Sequence, residues 1–241
     1  MCPTPATTAT DDDRPVRDSD RSVTELIEAG RDREAALRGG SNVTAADSTD
    51  ANGEPMDPLT QLGQVGPLLA GVVADITPDQ LDRPTPCAEF TVRGVLEHMT
   101  GGATMFAAAY RGETPAEPDT TDVLAAFGPT LADLAAAMGE PGALDRTIAT
   151  PFGDMPGDTF ARYVVLDGLV HGWDLATATG QPYDPPRELV GEVETFAHEI
   201  LDRLRDGQAF DRAVEPSPDA TPIERLVAYT GRRPLSEQGT R

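Results

Sequence analysis

Residues 158–179 read DTFARYVVLDGLVHGWDLATAT, and this stretch decides the fold. It is the most apolar of the helical segments that the sequence predicts, and Gly180 directly after it is a typical helix end. A helix that is apolar around most of its surface is buried on several sides. We therefore predict a long helix over 158–179 that forms the most buried element of a helical domain.

Four amphipathic segments surround this stretch in the sequence. Apolar residues recur at spacings of three and four in 57–76, 91–110, 121–138 and 187–204, which is the pattern of one buried helix face. Thr91 is the expected N-cap of the second segment, and Thr120 or Thr121 that of the third. Four long amphipathic helices with additional elements predict an all-α, up-and-down four-helix bundle with extra helices at its C-terminal side.

Two smaller elements complete the prediction. Residues 144–156 are typical of two short extended pieces around Gly153 and Asp154, which predicts a small hairpin excursion from the bundle. Near the C-terminus, Thr221, Pro222 and Glu224 form the signature of a capping box, and they predict one more short helix.

The charge balance excludes two classes of partner. The chain has 41 acidic and 19 basic residues, with a net charge of −22, and every basic residue is arginine. So strong a negative charge repels phosphate backbones and anionic lipid surfaces, so we expect neither nucleic-acid nor membrane binding. The absence of lysine fits either adaptation to high salt or a GC-rich codon bias, and the sequence does not separate the two.

Compartment and domain limits follow from composition. No apolar run is long enough to span a membrane, no secretory signal opens the chain, and Cys2 and Cys87 form no disulfide framework, so the expected location is the cytoplasm. Residues 1–55 contain no aromatic side chain and are predicted to be a disordered acidic tail. We assign 56–234 to one bundle domain and 235–241 to a disordered C-terminus. Because Met56 directly precedes the first periodic segment, it is also a candidate natural start.

One pair of polar residues interrupts the apolar face of the predicted central helix. Asp167 and His171 are four residues apart, which places both side chains on one face. A buried carboxylate needs a counter-charge, a hydrogen-bond network or a metal ion. The spacing alone is equally satisfied by a simple buried Asp-His hydrogen bond or by an edge pair that faces water.

His98 adds a third candidate ligand. It lies on the inward face of the second predicted helix, next to Gly101 and Gly102, which leave room for another group. Bundles build metal sites from ligands on facing helices, although a lone inward histidine is also common as a core residue. Two imidazoles and one carboxylate suit Zn, Fe, Mn or Ni, and three protein ligands leave coordination positions open. His198 has charged helical neighbours, which exclude it as a ligand.

Two motifs carry a resemblance to a known family. The stretch PTPCAEFTVR at 84–93, which leads into LEHM at 96–99, and the stretch DGLVHGWDLA at 167–176 resemble the metal-binding domain of mycothiol-dependent maleylpyruvate isomerases, within the wider DinB-like group. The resemblance covers about 56–234, and the tail at 230–234 is similar to that of an uncharacterised actinobacterial-type branch. It implies a DinB-like bundle with one divalent ion, usually zinc, on His98, Asp167 and His171. The isomerase has glutamate at the position of Asp167, and many relatives have tryptophan at that of Phe90.

The leading functional hypothesis is a metal-dependent thiol transferase or isomerase. Its partners would be a low-molecular-weight thiol and a small-molecule electrophile, because an open metal position lowers the pKa of a bound thiol. A metal-dependent hydrolase and a non-catalytic metal-binding module are the alternatives. Cys87 is interpreted as a fourth ligand, a reactive thiol or a packed core residue, and Asp174 as a support for a ligand imidazole or a surface acid.

Overall fold

A computed structural model of the chain describes residues 56–88, 90–118, 120–150, 153–206, 212–233 and 235. The two stretches predicted to be disordered, 1–55 and 235–241, fall outside the described residues except for Leu235.

The described part of the chain is an all-α fold with one two-stranded hairpin, as predicted. The helices are α1 Pro58–Ala74, α2 Val92–Arg111, α3 Val123–Met138, α4 Gly157–Thr179, α5 Arg187–Asp206 and α6 Pro222–Tyr229, with a 3-10 turn at Pro78–Gln80 and strands β1 Thr147–Thr150 and β2 Gly153–Pro156. Helices α1 and α2 each pack against both α3 and α4, and this arrangement forms the four-helix bundle. Helices α5 and α6 pack against α4 and against each other.

Helix α4 is the most deeply buried of these helices, which confirms the prediction made from its composition. Phe160, Leu166 and Leu169 are fully buried along it. Gly168 allows a close approach of α1, because a Cβ atom there would lie 3.1 Å from Val65 Cγ1 and 3.3 Å from a methyl carbon of Leu69. Helix α4 therefore places the polar side chains of His171 and Asp174 in the core of the bundle.

Two of the three predicted helix caps are confirmed. The Thr91 side chain accepts a hydrogen bond from the Gly94 N–H, and Thr221 forms a capping box with Glu224 at the start of α6. The predicted cap of α3, Thr120 or Thr121, is wrong. Asp122 caps this helix instead, and its carboxylate accepts from the Ala125 N–H at 3.1 Å. Aspartate is at least as good an N-cap as threonine, so the helix starts at the later residue.

The hairpin lies where it was predicted, but its centre is different. The strands pair antiparallel from Thr147 opposite Pro156 to Thr150 opposite Gly153. Gly153 and Asp154 therefore begin the second strand, whereas the prediction placed them between two extended pieces. The strand β2 leads directly into α4, whose first carbonyl, that of Gly157, accepts a 2.6 Å hydrogen bond from the hydroxyl of Tyr110 on α2.

Two glycines inside helices give opposite predictions for stability. A Cβ atom on Gly172 would collide with the hydroxyl group of Tyr183, and this hydroxyl donates a hydrogen bond to the Leu169 carbonyl at 3.1 Å. A Cβ atom on Gly191 would meet no atom within 4 Å. We expect Gly172→Ala to lower the free energy of unfolding by about 1–3 kcal/mol because of overpacking. Gly191→Ala, the matched control, should raise it by about 0.5–1 kcal/mol because alanine favours helix. Urea unfolding of the two variants measures both values, and equal stabilisation would contradict the close packing at Gly172.

Within the described residues, no helix is both long and apolar enough to cross a membrane.

Candidate metal centre

Three side chains from two helices come together inside the bundle. His98 comes from α2, and Asp167 and His171 lie one turn apart on α4. One potential ligand atom from each residue lies within 4.8 Å of the other two. The Oδ1 atom of Asp167 is 3.5 Å from His171 Nε2 and 3.8 Å from His98 Nε2. The structure thus brings together the three residues that the sequence singled out.

These distances argue against a simple hydrogen-bonded pair. N–H···O hydrogen bonds have a donor–acceptor distance of about 2.7–3.2 Å, and both Asp167–imidazole distances are longer. The two imidazole rings also face each other edge to face, with their centroids 5.0 Å apart. The two imidazole nitrogens and the carboxylate oxygen therefore lie near a common point and are not hydrogen-bonded to one another.

The exposure of the three side chains falls from one side of the site to the other. His98 is 37% exposed, Asp167 is 23% exposed, and His171 is 4% exposed. The site is therefore anchored in the core through His171 and is reached from solvent on the side of His98.

Asp174 orients the buried imidazole. It is fully buried, and its Oδ2 atom lies 3.0 Å from Nδ1 of His171. An ionised carboxylate only accepts hydrogen bonds, so Nδ1 carries the proton and Nε2 presents its lone pair towards Asp167 and His98. This is the arrangement that supports ligand histidines in metal sites. The interpretation of Asp174 as an orienting residue is favoured, and its interpretation as a surface acid is wrong.

Arg232 is the residue of this site that the sequence analysis missed. Its Nε and Nη2 atoms each lie 3.3 Å from Oδ2 of Asp174, and its side chain is only 11% exposed. It follows α6, in the tail segment that the sequence analysis treated only as a family trait. The available signal was electrostatic: a buried Asp174 requires a counter-charge, and the adjacent arginines Arg232 and Arg233 were candidates.

The electrostatics of the site keep its carboxylate ionised. Burial raises the pKa of Asp167, but the neighbouring His171, His98 and Arg232 outweigh burial and hold this pKa at about 2. Burial lowers the pKa of His98, but the nearby carboxylate of Asp167 outweighs burial and raises this pKa above its ordinary value of 6.5. Asp167 is therefore an anion throughout the neutral pH range.

Phe90 packs over the exposed side of the site. Its ring stacks on that of His98, with centroids 5.3 Å apart and an interplanar angle of 29°. The loop before α2 fixes its backbone, because the Phe90 carbonyl accepts from the Thr85 hydroxyl at 2.8 Å and its N–H donates to the Cys87 carbonyl at 2.9 Å. Gly94 leaves the space that this ring fills. Phe90 thus gives the entrance an apolar wall.

The remaining sequence candidates lie outside the group of three. Cys87 is half-buried near Arg232 and forms no disulfide bond, and it does not belong to the ligand group found among the described residues. His198 is exposed and packs against the ring of Tyr229, in agreement with its exclusion as a ligand. The room predicted at Gly102 is taken by the ring of Phe106.

The sequence of this chain matches the family model described as "Mycothiol maleylpyruvate isomerase N-terminal domain" over residues 62–176. The match includes His98, Asp167 and His171. This chain belongs to the mycothiol maleylpyruvate isomerase N-terminal domain family. Two uncharacterized proteins from two strains of Mycobacterium tuberculosis are each 35% identical to it over 181 residues, which is 73% of this chain and 98% of the relative. No solved structure gives a significant match.

The donor set of this family member fits a divalent metal ion. Two imidazole nitrogens and one permanently ionised carboxylate are typical ligands of zinc and of the later first-row metals. The support of His171 by Asp174 matches the hydrogen bonding that metal-bound histidines require. His98, Asp167 and His171 are therefore a group that could hold a metal ion.

Proposed function

We propose that His98, Asp167 and His171 bind one divalent cation, with zinc as the leading choice over Fe, Mn and Ni. We further propose that the protein is a metal-dependent transferase or isomerase that combines a low-molecular-weight thiol with a small electrophile. The observation that carries the proposal is the meeting of two imidazoles and a carboxylate at a solvent-accessible point in a mycothiol-related family.

Each neighbouring residue has a defined part in this proposal. A divalent ion bound here would lower the pKa of a thiol and increase its thiolate fraction at neutral pH. Asp174 accepts a hydrogen bond from Nδ1 of His171, which leaves the lone pair of Nε2 available to bind the metal ion. Arg232 donates a hydrogen bond to Asp174 and so fixes its position. Phe90 contributes an apolar surface beside His98, where a substrate would pack.

The scarcity of general bases supports nucleophile activation by the metal. The two ionisable residues next to His171 on the buried side, Asp174 and Arg232, are paired with each other. A general base must reach the proton that it removes, and Asp174 and Arg232 are only 0% and 11% exposed. The same argument applies to a water nucleophile, so a hydrolase is the alternative enzyme, and a binding module without turnover is the alternative outside catalysis.

An assay with separate thiol and electrophile panels tests the proposal. The zinc-loaded protein is mixed with mycothiol, glutathione or cysteine and with cis-unsaturated dicarbonyl compounds such as maleylpyruvate. We expect a rate that requires the thiol and that is lost in His98→Ala but retained in the matched control His198→Ala. A fully metallated protein that shows no thiol-dependent rate would contradict the proposal, and thiol-independent ester cleavage would favour the hydrolase.

Metal affinity should fall as the solution is acidified. Metal ions bind the neutral imidazole, and the pKa of His98 lies above 6.5 in the metal-free protein, so protons compete for this ligand already above that pH. Asp167 stays ionised over the same range and contributes nothing to the change. Competition titrations with a zinc chelator between pH 8 and pH 6 measure the effect, once the zinc affinity of the protein is corrected for the pH dependence of the chelator itself. A flat profile would contradict the role of His98.

A further inference from the structure

A second buried carboxylate lies outside the group of three. Glu192 of α5 is 5% exposed. Its two oxygens, Oε1 and Oε2, lie 3.1 and 3.2 Å from the backbone nitrogen of Met56, so both of them face one atom. Oε2 also accepts a 2.7 Å hydrogen bond from the side-chain amide of Gln61.

The donors around Glu192 do not match its charge. Among the described residues, no arginine or histidine forms an ion pair with it, and the Gln61 amide is neutral. A peptide N–H at Met56 offers one hydrogen to two oxygens and carries no charge. Burial of an ionised carboxylate with only neutral donors costs several kcal/mol. An α-ammonium group at the same nitrogen would supply three hydrogens and a full positive charge.

The rest of Met56 is held as firmly as its nitrogen. Its side chain is 6% exposed, and its sulfur accepts a hydrogen bond from the Gln64 amide at 3.1 Å. Its carbonyl accepts from Arg162 Nη1 at 3.2 Å. The next residue, Asp57, is already the N-cap of α1. The nitrogen, the sulfur and the carbonyl oxygen of Met56 therefore each have a hydrogen-bond partner.

The two relatives are shorter than this chain. The two Mycobacterium tuberculosis proteins are matched over 98% of their length by only 73% of this chain, and the family model begins at residue 62. More than a quarter of this chain therefore lies outside the match to these two relatives.

We propose that translation of the native protein starts at Met56, and that Glu192 with Gln61 forms a binding site for the α-ammonium group of that residue. The site takes an unblocked amino terminus, because a formyl or acetyl group would remove the charge that the carboxylate requires. This inference is independent of the metal centre.

The composition of the chain allows a direct test. It contains no lysine, so its α-amino group is its only primary amine. Protein purified from its own cells is treated with an amine-reactive label at pH 7, once folded and once unfolded, and is then analysed by mass spectrometry. We expect the label on Met56, no peptides from residues 1–55, and labelling about tenfold or more slower in the folded protein, because an ion pair keeps the amine protonated.

Three results would overturn the proposal. Peptides from residues 1–55 in the same amount as the rest of the chain, or a label on Met1, would exclude the start at Met56. Equal labelling of folded and unfolded wild-type protein would exclude the binding site. Glu192→Gln should remove the protection while Glu188→Gln, on the exposed side of the same helix, should keep it. The wild-type comparison is decisive by itself if Glu192→Gln does not fold.

Discussion

Replacement of His171 by alanine is expected to weaken divalent-metal binding by more than about 100-fold, so that the purified variant retains almost no metal. His171 is the most buried of the three proposed ligands, at 4% exposure, and its orientation is fixed by Asp174. Without it, one imidazole and one carboxylate remain, and neither can replace the lost nitrogen. Metal content after dialysis against a weak chelator measures the effect.

The histidine on α5 provides a matched control for this variant. His198→Ala makes the same chemical change at an exposed position outside the proposed ligand set, and it should leave the metal content unchanged. Circular dichroism of both variants checks that the helices are retained. A His171→Ala protein that is folded and keeps the wild-type amount of metal would show that the proposed ligand set is wrong.

Replacement of Asp174 by asparagine should lower metal affinity by about 10–100-fold while the three proposed ligands stay in place. The asparagine oxygen can still accept from Nδ1 of His171, but the negative charge that increases the basicity of this imidazole is lost. The change also leaves the guanidinium of Arg232, 11% exposed, without its carboxylate partner. Chelator competition measures the affinity, and thermal unfolding measures the accompanying loss of stability.

The control for Asp174→Asn is the same substitution at Asp133. This carboxylate is 56% exposed and also pairs with an arginine, Arg111, at 2.8 Å. Asp133→Asn should change neither metal affinity nor, by more than about 1 kcal/mol, stability, because exposed ion pairs contribute little. If both variants bind metal as the wild type does, Asp174 has no supporting role in the site.

The helices could be predicted well because their signals are local. The three-and-four spacing in 57–76 and the apolar composition of 158–179 depend only on neighbouring residues, and both segments are helices in the structure. The wrong N-cap predicted for α3 also results from relying on local signals. Thr121 and Asp122 are both good caps, and the sequence does not show which of them meets the free N–H of the first turn.

The candidate site could be predicted only in part because its contacts are long-range. The pair Asp167 and His171 is a one-turn pattern, but the approach of His98 depends on how α2 packs against α4. Arg232 is 58 residues away from Asp174 in sequence, and no periodic pattern connects them. The buried charge of Asp174 was the one local sign that a distant cation was required.

The most direct test of the central claim is a crystal structure of the zinc-loaded protein with anomalous data collected on either side of the zinc absorption edge. We expect one strong zinc-specific peak per chain, bonded to nitrogen atoms of His98 and His171 and to an oxygen of Asp167. A peak at any other position, or no peak in protein crystallised with excess zinc, would contradict the proposal that these three residues form the metal site.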